Sequence, residues 1–404
     1  MNLTKKRWYV FFAACLINLC IGSLYAWSVF ATPLAQHINE LTGSNITSLA
    51  IVFTIANAVG PITMIGGGAL NRKLGVRKVI LIGGMLFGLG MIATGFVTSV
   101  GMLIVTYGLG VGLGLGMVYG CTISNTVKFF PDKSGFIGGG VTAAYGISSV
   151  IIPIIATALM DAVGVTSSFK IIGAAMLAII IGSSFFIEDC PNDFCPDGYT
   201  PAKTAGGSEA CKDWRGMTKD PVFYVMITML LCGAFSGMMI ISQASPLAQR
   251  ITGISPATAA TVVSVIALCN TGGRIIAGWL SDKLGTIKTI RLVFVGSMLA
   301  LAMLYVSGLG VHALFYAGVC IIALMFGSIM GVYPGFTATQ FGRRYNGVNY
   351  GIMFIGFALA GVLGPIIMSS LYSSTGTDQI AFVVAFALEA LGFVLTFAYK
   401  KLAK

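Results

Sequence analysis

Long apolar segments separated by short polar connections constrain this chain more than any single motif does. Runs that could cross about 30 Å of hydrocarbon at about 1.5 Å per residue of helix recur along its whole length. They lie near 8–36, 46–69, 78–99, 102–130, 135–160, 167–187, 222–249, 256–281, 289–309, 312–341, 347–372 and 380–399. This pattern predicts an all-α membrane protein with twelve transmembrane helices, referred to below as segments one to twelve.

The composition also excludes an ordinary soluble globule. Of the 404 residues, 56% are hydrophobic and only 9% are charged, which leaves too little polar surface to cover a soluble core. The formal net charge of +11 would suggest nucleic-acid binding in a soluble domain. Here almost all the basic residues fall in short connections between apolar segments, so they record membrane topology and no nucleic-acid partner is expected.

A polar stretch divides the segments into six and six. It runs from Glu188 to Pro221 and is rich in Pro and Gly, which is typical of a linker. We therefore predict a six-helix bundle over 1–187, a linker over 188–221 and a second six-helix bundle over 222–404. The first segment is too long for the apolar core of a signal peptide, so no cleavage is expected.

The distribution of Lys and Arg predicts the orientation in the membrane. On the twelve-helix topology, 21 of the 24 basic residues lie in connections on one side, whereas Lys170 and Arg250 flank loops on the other. Because basic connections stay in the cytoplasm, both termini are expected there. The predicted location is a bacterial-type cytoplasmic membrane, where the protein would contact lipid and act as a monomer.

The two halves repeat each other. Gly68-Ala69-Leu70 recurs as Gly278-Trp279-Leu280, 210 positions later, and Val118-Tyr119 recurs as Val332-Tyr333 at an offset of 214. A parallel repeat of six helices is a recurring transporter plan, with the substrate near the bilayer midplane between the halves.

The loops after segments two and eight resemble the conserved loop of the major facilitator superfamily. Their pattern is Gly-x-Leu-x-Asp-(Arg/Lys)-x-Gly with trailing cations. The residues that match are Gly68, Gly75 and Arg77 in the first copy and Gly278, Asp282, Lys283 and Gly285 in the second. The resemblance implies the fold of that superfamily, two pseudo-symmetric six-helix bundles. The first copy departs from the pattern, because Arg72 stands at the acidic position.

Within that superfamily, the whole chain resembles the oxalate/formate antiporter family, a branch related to monocarboxylate transporters. The residues that carry this resemblance are Gly22-Ser23-Leu24-Tyr25-Ala26-Trp27-Ser28, Lys128-Phe129-Phe130-Pro131, Asp197-Gly198-Tyr199-Thr200-Pro201, Asn270-Thr271-Gly272-Gly273-Arg274, Ser281-Asp282 and Asn349-Tyr350-Gly351. The resemblance implies that Arg274 binds a substrate carboxylate and that aromatic residues enclose it. Tyr25, Tyr119, Tyr145 and Tyr333 occupy the matching motif positions.

Segment eleven departs from the oxalate carriers, which the resemblance expects to carry a second cation there. No Lys or Arg lies between Asn346 and Tyr372, and the stretch contains Phe354 and Phe357 instead. One fixed cation neutralises one carboxylate, whereas a dianion in an apolar cavity would keep an uncompensated charge. We therefore predict a small monocarboxylate substrate such as pyruvate, lactate or formate, with Phe354 and Phe357 beside it.

Arg274 is also a candidate ligand on physical grounds alone. It is the only Lys or Arg deep inside an apolar segment, and a lone cation in hydrocarbon is costly unless it faces a cavity or a partner. Its planar fork matches a carboxylate, and Asn270 lies one turn earlier on the same helical face. The alternatives are that Arg274 snorkels to the cytoplasmic surface or pairs with a backbone carbonyl.

Other residues leave the mechanism open. The four tyrosines could instead be packing or interfacial residues. Glu389 is the only acidic residue well inside a segment, and a structural hydrogen bond to a neighbouring helix is favoured over proton transfer. Coupling could be anion exchange or proton cotransport. No cofactor or metal is expected, because the linker cysteines Cys190, Cys195 and Cys211 match zinc spacing poorly.

Two function classes other than transport fit the sequence less well. A carboxylate-sensing membrane receptor would need a cytoplasmic output domain, for which the linker is too short. No segment presents a nucleophile–base pair or metal-ligand spacing, so an enzyme is not expected. Oxalate/formate exchange is the alternative within transport, and the missing cation of segment eleven argues against it.

Overall fold

The computed structural model describes residues 3–46, 48–191, 194–198 and 211–403, apart from the side chains of Tyr25, Pro256 and Ala257. Every regular element in these ranges is helical. The α-helices are α1 Leu3–Ile21, α2 Trp27–Thr42, α3 Ala50–Leu74, α4 Val76–Thr94, α5 Val100–Leu103, α6 Gly112–Phe129, α7 Ser134–Ser184, α8 Trp214–Thr218, α9 Pro221–Ser242, α10 Ala244–Thr252, α11 Pro256–Leu284, α12 Thr286–Ser307, α13 Ala313–Phe341, α14 Asn346–Thr375 and α15 Gln379–Leu402.

Within the described residues, eleven helices are long and apolar enough to cross a membrane. The longest of them, α7, has 51 residues, which is more than twice the length that a bilayer needs. Gly164 interrupts α7 with φ 78° and ψ 165°, a backbone conformation that glycine adopts without steric cost. The predicted segments five and six are therefore the two parts of α7, and the prediction of twelve membrane helices is confirmed.

Three predicted segments are interrupted where the sequence indicated one continuous helix. Segment one consists of α1 and α2, joined by a 3-10 turn over Gly22–Ala26. Segment four contains a π-helical stretch over Ile104–Val111 between α5 and α6. Segment seven breaks at Gln243, between α9 and α10.

The described residues form two compact units. The first contains those of Met1–Pro131, Ala144–Thr200 and Arg343–Ile352, and the second contains those of Asp132–Ala143, Pro201–Gly342 and Met353–Lys404. The first unit therefore contains most of the predicted N-terminal half together with the first turns of α14. The second unit contains most of the predicted C-terminal half together with the first turns of α7. Tyr199, Thr200 and Pro201 of the linker motif lie outside the described residues.

Glycines at equivalent positions of the repeat allow close backbone contact in each unit. In the second unit, a Cβ on Gly278 of α11 would collide with the carbonyl of Gly135, at the start of α7. In the first unit, a Cβ on Gly68 of α3 would collide with Gly347, at the start of α14. Gly347 follows Gly135 by 212 positions, so the two contacts are copies of one packing arrangement.

The conserved loops end α3 and α11 in the same way. Gly75 and Gly285 have φ values of 82° and 87°, in the region that disfavours residues with a Cβ. Asp282 then accepts hydrogen bonds from the backbone N–H groups of Gly135 at 2.8 Å and Phe136 at 2.7 Å. A carboxylate at these N–H groups also complements the positive end of the α7 dipole. Asp282 thereby fixes the start of α7 to the end of α11.

Replacing Asp282 with alanine should lower the free energy of unfolding of the purified protein by about 1–2 kcal/mol, because two N–H groups of α7 lose a charged acceptor. The measurement is thermal unfolding in detergent. Asp161→Ala is the matched control, since Asp161 is an exposed carboxylate of α7, the helix that Asp282 caps. Equal melting temperatures for the two variants would contradict a capping role for Asp282.

Candidate substrate-binding site

Arg274 lies in the second half of α11, which starts after a Ser255 cap and ends at Gly285. Its side chain is buried, with 1% of the residue surface exposed. The predicted alternative of snorkelling to the surface therefore does not describe this conformation. A full positive charge is buried there instead.

The hydrogen bonds of Arg274 are all to neutral groups. Nη1 donates to the backbone carbonyl of Thr142 in α7 at 2.8 Å, and Nε makes a long contact of 3.4 Å with Oδ1 of Asn270. No carboxylate among the described residues forms an ion pair with Arg274. The carbonyl partner was one of the predicted alternatives, but a carbonyl carries no net charge. The buried charge is therefore solvated by dipoles and remains uncompensated.

Glycines bring the backbones of two helices, α7 and α13, close to the stretch of α11 that holds this arginine. A Cβ on Gly139 of α7 or on Gly331 of α13 would collide with the carbonyl of Arg274, and a Cβ on Gly327 would collide with that of Asn270. Larger residues at these positions would push α7 or α13 away from α11. The contact with Thr142 was missed from the sequence.

Two predicted tyrosines meet in the first unit. The rings of Tyr119 on α6 and Tyr145 on α7 have centroids 5.0 Å apart, and both residues are buried. A Cβ on Gly22 would collide with the carbonyl of Tyr145, so the 3-10 turn of segment one packs directly on α7. Tyr25 lies in that turn, and its side chain is outside the described part of the structure.

The other predicted aromatic residues lie in the second unit. Tyr333 on α13 is fully buried, and its hydroxyl donates to the carbonyl of Met226 on α9 at 2.8 Å. Phe354 and Phe357 on α14 are half-buried and pack together with ring centroids 4.5 Å apart. In this conformation the donor of Tyr333 joins two helices, while the phenylalanine pair supplies apolar surface. Their roles as substrate contacts stay predictions.

The remaining residues of the conserved loops have structural partners. Arg77 donates to the carbonyls of Ile187 at 3.1 Å and Phe185 at 2.9 Å. The ammonium of Lys283 lies 4.1 Å from the ring centroid of Trp279. These contacts hold the ends of α4 and α11 and supply no ligand chemistry.

Glu389 is fully buried in α15 and accepts a hydrogen bond from the hydroxyl of Ser236 on α9. The predicted hydrogen bond to a neighbouring helix is therefore present. No partner among the described residues reaches its second oxygen, Oε2. Arg274 and Glu389 are not paired, so the two buried ionisable groups do not neutralise each other.

Comparison with known proteins agrees with this architecture. The family model of the Major Facilitator Superfamily matches residues 14–365. The chain is 30% identical to an uncharacterised MFS-type transporter, YhjX, of Escherichia coli (strain K12), over 89% of this chain and 87% of that one. It is 27% identical to the oxalate:formate antiporter of Oxalobacter formigenes, over 98% and 91% of the two chains.

Similarity extends to animal transporters and to a solved structure. Mouse monocarboxylate transporter 11 is 26% identical over 93% of this chain and 83% of its own. The crystal structure of the human organic anion transporter MFSD10 shares the fold with a TM-score of 0.74 and 15% identity, covering 98% of this chain and all of that one. Each of these relatives is a transporter or antiporter and not an enzyme. The chain therefore belongs to the major facilitator superfamily of membrane transporters.

Proposed function

We propose that the protein carries a small monocarboxylate across a bacterial-type cytoplasmic membrane, with Arg274 as the ligand of its carboxylate. The observation that supports this most strongly is a fully buried guanidinium without an anionic partner among the described residues. A buried cation is costly unless an opposite charge accompanies it. A substrate anion would supply that charge when it binds and remove it when it leaves.

The hydrogen bonding of Arg274 leaves room for this role. Nη2 makes no hydrogen bond within the described structure, and the Nε contact with Asn270 is long. A carboxylate could therefore occupy the edge formed by Nε and Nη2 in the bidentate geometry that guanidinium groups favour. Asn270 would then be free to orient the guanidinium or to donate its amide to a carbonyl or hydroxyl of the substrate.

The charge count favours a monoanion. One fixed cation and one carboxylate leave the loaded site near neutral, whereas oxalate would leave it with a negative charge. The stretch where a second cation is expected in oxalate carriers holds the Phe354 and Phe357 pair. Similarity to a monocarboxylate transporter supports the same substrate class. Oxalate/formate exchange is the second candidate, supported by the relative from Oxalobacter formigenes.

We further propose that the carrier works by alternating access as a monomer, with both termini in the cytoplasm. The basic connections support that orientation. Coupling is either anion exchange or proton cotransport. Efflux driven by external substrate at equal pH would identify exchange, and uptake driven by a pH gradient into empty vesicles would identify cotransport.

The first test concerns Arg274. Arg274→Lys keeps the charge but loses the planar fork, so binding of pyruvate, lactate and formate should weaken strongly, and Arg274→Gln should abolish it. The measurements are ligand-induced thermal stabilisation and uptake in proteoliposomes. Arg215→Lys in the exposed helix α8 is the matched control and should behave as the wild type. Normal uptake by correctly inserted Arg274→Lys protein would refute the assignment of Arg274 as the ligand.

A second test separates the tyrosines that occur at the same position of the repeat. If both hydroxyls donate to the substrate, Tyr119→Phe and Tyr333→Phe should each weaken its affinity by about 1 kcal/mol, the usual net value of one hydrogen bond. Tyr333→Phe should also lower the melting temperature without substrate, because the bond to Met226 is lost. Unchanged affinity in both variants would make these residues packing residues only.

The third test concerns substrate charge. At neutral pH and equal concentration, monocarboxylates should raise the melting temperature more than oxalate does, because oxalate leaves a net negative charge in an apolar site. Phe354→Lys or Phe357→Lys should shift the preference toward oxalate, while Phe354→Leu serves as the uncharged control. Tighter binding of oxalate than of all three monocarboxylates by the wild type would disprove the charge count.

A further inference from the structure

The start of α14 lacks the carboxylate that caps its counterpart in the repeat. In the second unit, Asp282 accepts hydrogen bonds from the first N–H groups of α7. The equivalent residue in the first unit is Arg72, 210 positions earlier. The backbone contact between Gly68 and Gly347 is retained in this unit, so α3 still approaches the start of α14. A cation therefore replaces an anion at a helix end that carries a partial positive charge.

Three arginines gather at this end of α14. The guanidinium of Arg72 lies 5.3 Å from the ring centroid of Tyr345, and that of Arg344 lies 5.6 Å from the same centroid. Arg343 lies directly before Arg344 in the connection to α14. None of the three forms an ion pair with a described residue. Arg72 and Arg344 are exposed and Arg343 is half-buried, so together they form a positively charged surface that attracts anions to this helix N-terminus.

Polar groups at the same helix end also lack partners. Asn346 opens α14 and is completely buried, yet neither Nδ2 nor Oδ1 of its amide has a hydrogen-bond partner among the described residues. No described side chain accepts a hydrogen bond from the N–H of Gly347, the residue equivalent to Gly135. A buried amide without protein partners is uncommon in native proteins, so the donor and acceptor of Asn346 are available to a ligand.

Basic residues near the start of α14 also act electrostatically on Cys190 in the linker. Burial raises the pKa of the Cys190 thiol to about 12, while Lys128 and Arg343 act in the opposite direction. Asp189 lies in the same region, but its carboxylate is engaged with the N–H of Val76 at 3.0 Å and 3.2 Å, at the start of α4. This carboxylate caps α4 and forms no ion pair with Arg72, Arg343 or Arg344 among the described residues.

We propose that the N-terminus of α14, with Arg72, Arg343, Arg344 and Asn346, binds a phosphate oxyanion. Helix N-termini bind phosphate through backbone N–H groups, and arginines bind it through their planar forks. The same chemistry is offered by the headgroup of an anionic phospholipid and by free phosphate in the cytoplasm. The anion would occupy the role that the carboxylate of Asp282 has in the other unit.

The experiment measures thermal unfolding of the purified full-length protein with two probes. One series compares sodium phosphate with sodium chloride at matched ionic strength, and the other compares mixed micelles containing phosphatidylglycerol with micelles containing phosphatidylcholine. The wild type should be stabilised by phosphate, by phosphatidylglycerol or by both. The series that responds identifies the source of the oxyanion. A wild type that responds to neither probe would overturn the proposal.

Variants at Arg72 test whether the response belongs to this site. Arg72→Gln should weaken the apparent affinity for the effective probe about tenfold, as expected for the loss of one charged contact. Arg72→Asp should abolish the response and raise the melting temperature in phosphate-free buffer, because its carboxylate would cap α14 as Asp282 caps α7.

Lys73→Gln is the control, since Lys73 carries an equal charge and is exposed like Arg72, but Arg72 alone of the two lies over the ring of Tyr345 in the described structure. It should keep the wild-type response. An equal loss in Lys73→Gln and Arg72→Gln would mean general attraction to a basic surface and would overturn the site. A full wild-type response in Arg72→Asp would overturn it as well, and this holds whatever the substrate of the carrier is.

Discussion

Hydrocarbon solvates neither a charge nor a peptide group, and the rest of this structure depends on that constraint. Backbone N–H and C=O groups in a bilayer must pair within the protein, which leaves helices as the elements available to a chain of this composition. Most charged side chains lie in the connections or have local partners. Arg274 and Glu389 are buried within apolar helices, and neither has an oppositely charged partner among the described residues. A guanidinium carries a permanent charge, so Arg274 marks the part of the molecule where function is to be sought.

The internal repeat shows how one packing arrangement can carry opposite charges. Equivalent glycine contacts join α11 to α7 and α3 to α14, so the backbones of the two units follow the same plan. At one of these contacts an intramolecular carboxylate satisfies the helix end, and at the other the equivalent residue is Arg72, whose guanidinium lies over the ring of Tyr345. The same backbone contact therefore forms with either sign of charge at this position. The two units differ in whether a side chain of the protein accepts hydrogen bonds from the first N–H groups of the helix.

The sequence was sufficient for what depends on length and periodicity. The twelve segments follow from the apolar runs, and the repeat follows from motifs that recur at nearly one offset. The burial of Arg274 follows from the position of a basic residue inside an apolar segment. The interruptions at Gly22–Ala26 and Gln243 could not be predicted, because they depend on tertiary contacts such as that of Gly22 with the carbonyl of Tyr145. The carbonyl of Thr142 was equally inaccessible, since a backbone acceptor has no sequence signature. The hydroxyl of Tyr333 shows the same limit, because its acceptor is the backbone of Met226.

The glycine contacts around Arg274 have a kinetic consequence. Gly139, Gly278 and Gly331 meet neighbouring backbones directly, so these three residues place no side chain in the contact. Interlocked side chains would have to leave their rotamers before one helix could slip along another, and each such step adds to an activation barrier. Contacts between backbones at glycine impose no such step. We therefore expect that movement of α11, which holds the buried cation, is limited by breaking a few hydrogen bonds and not by repacking side chains.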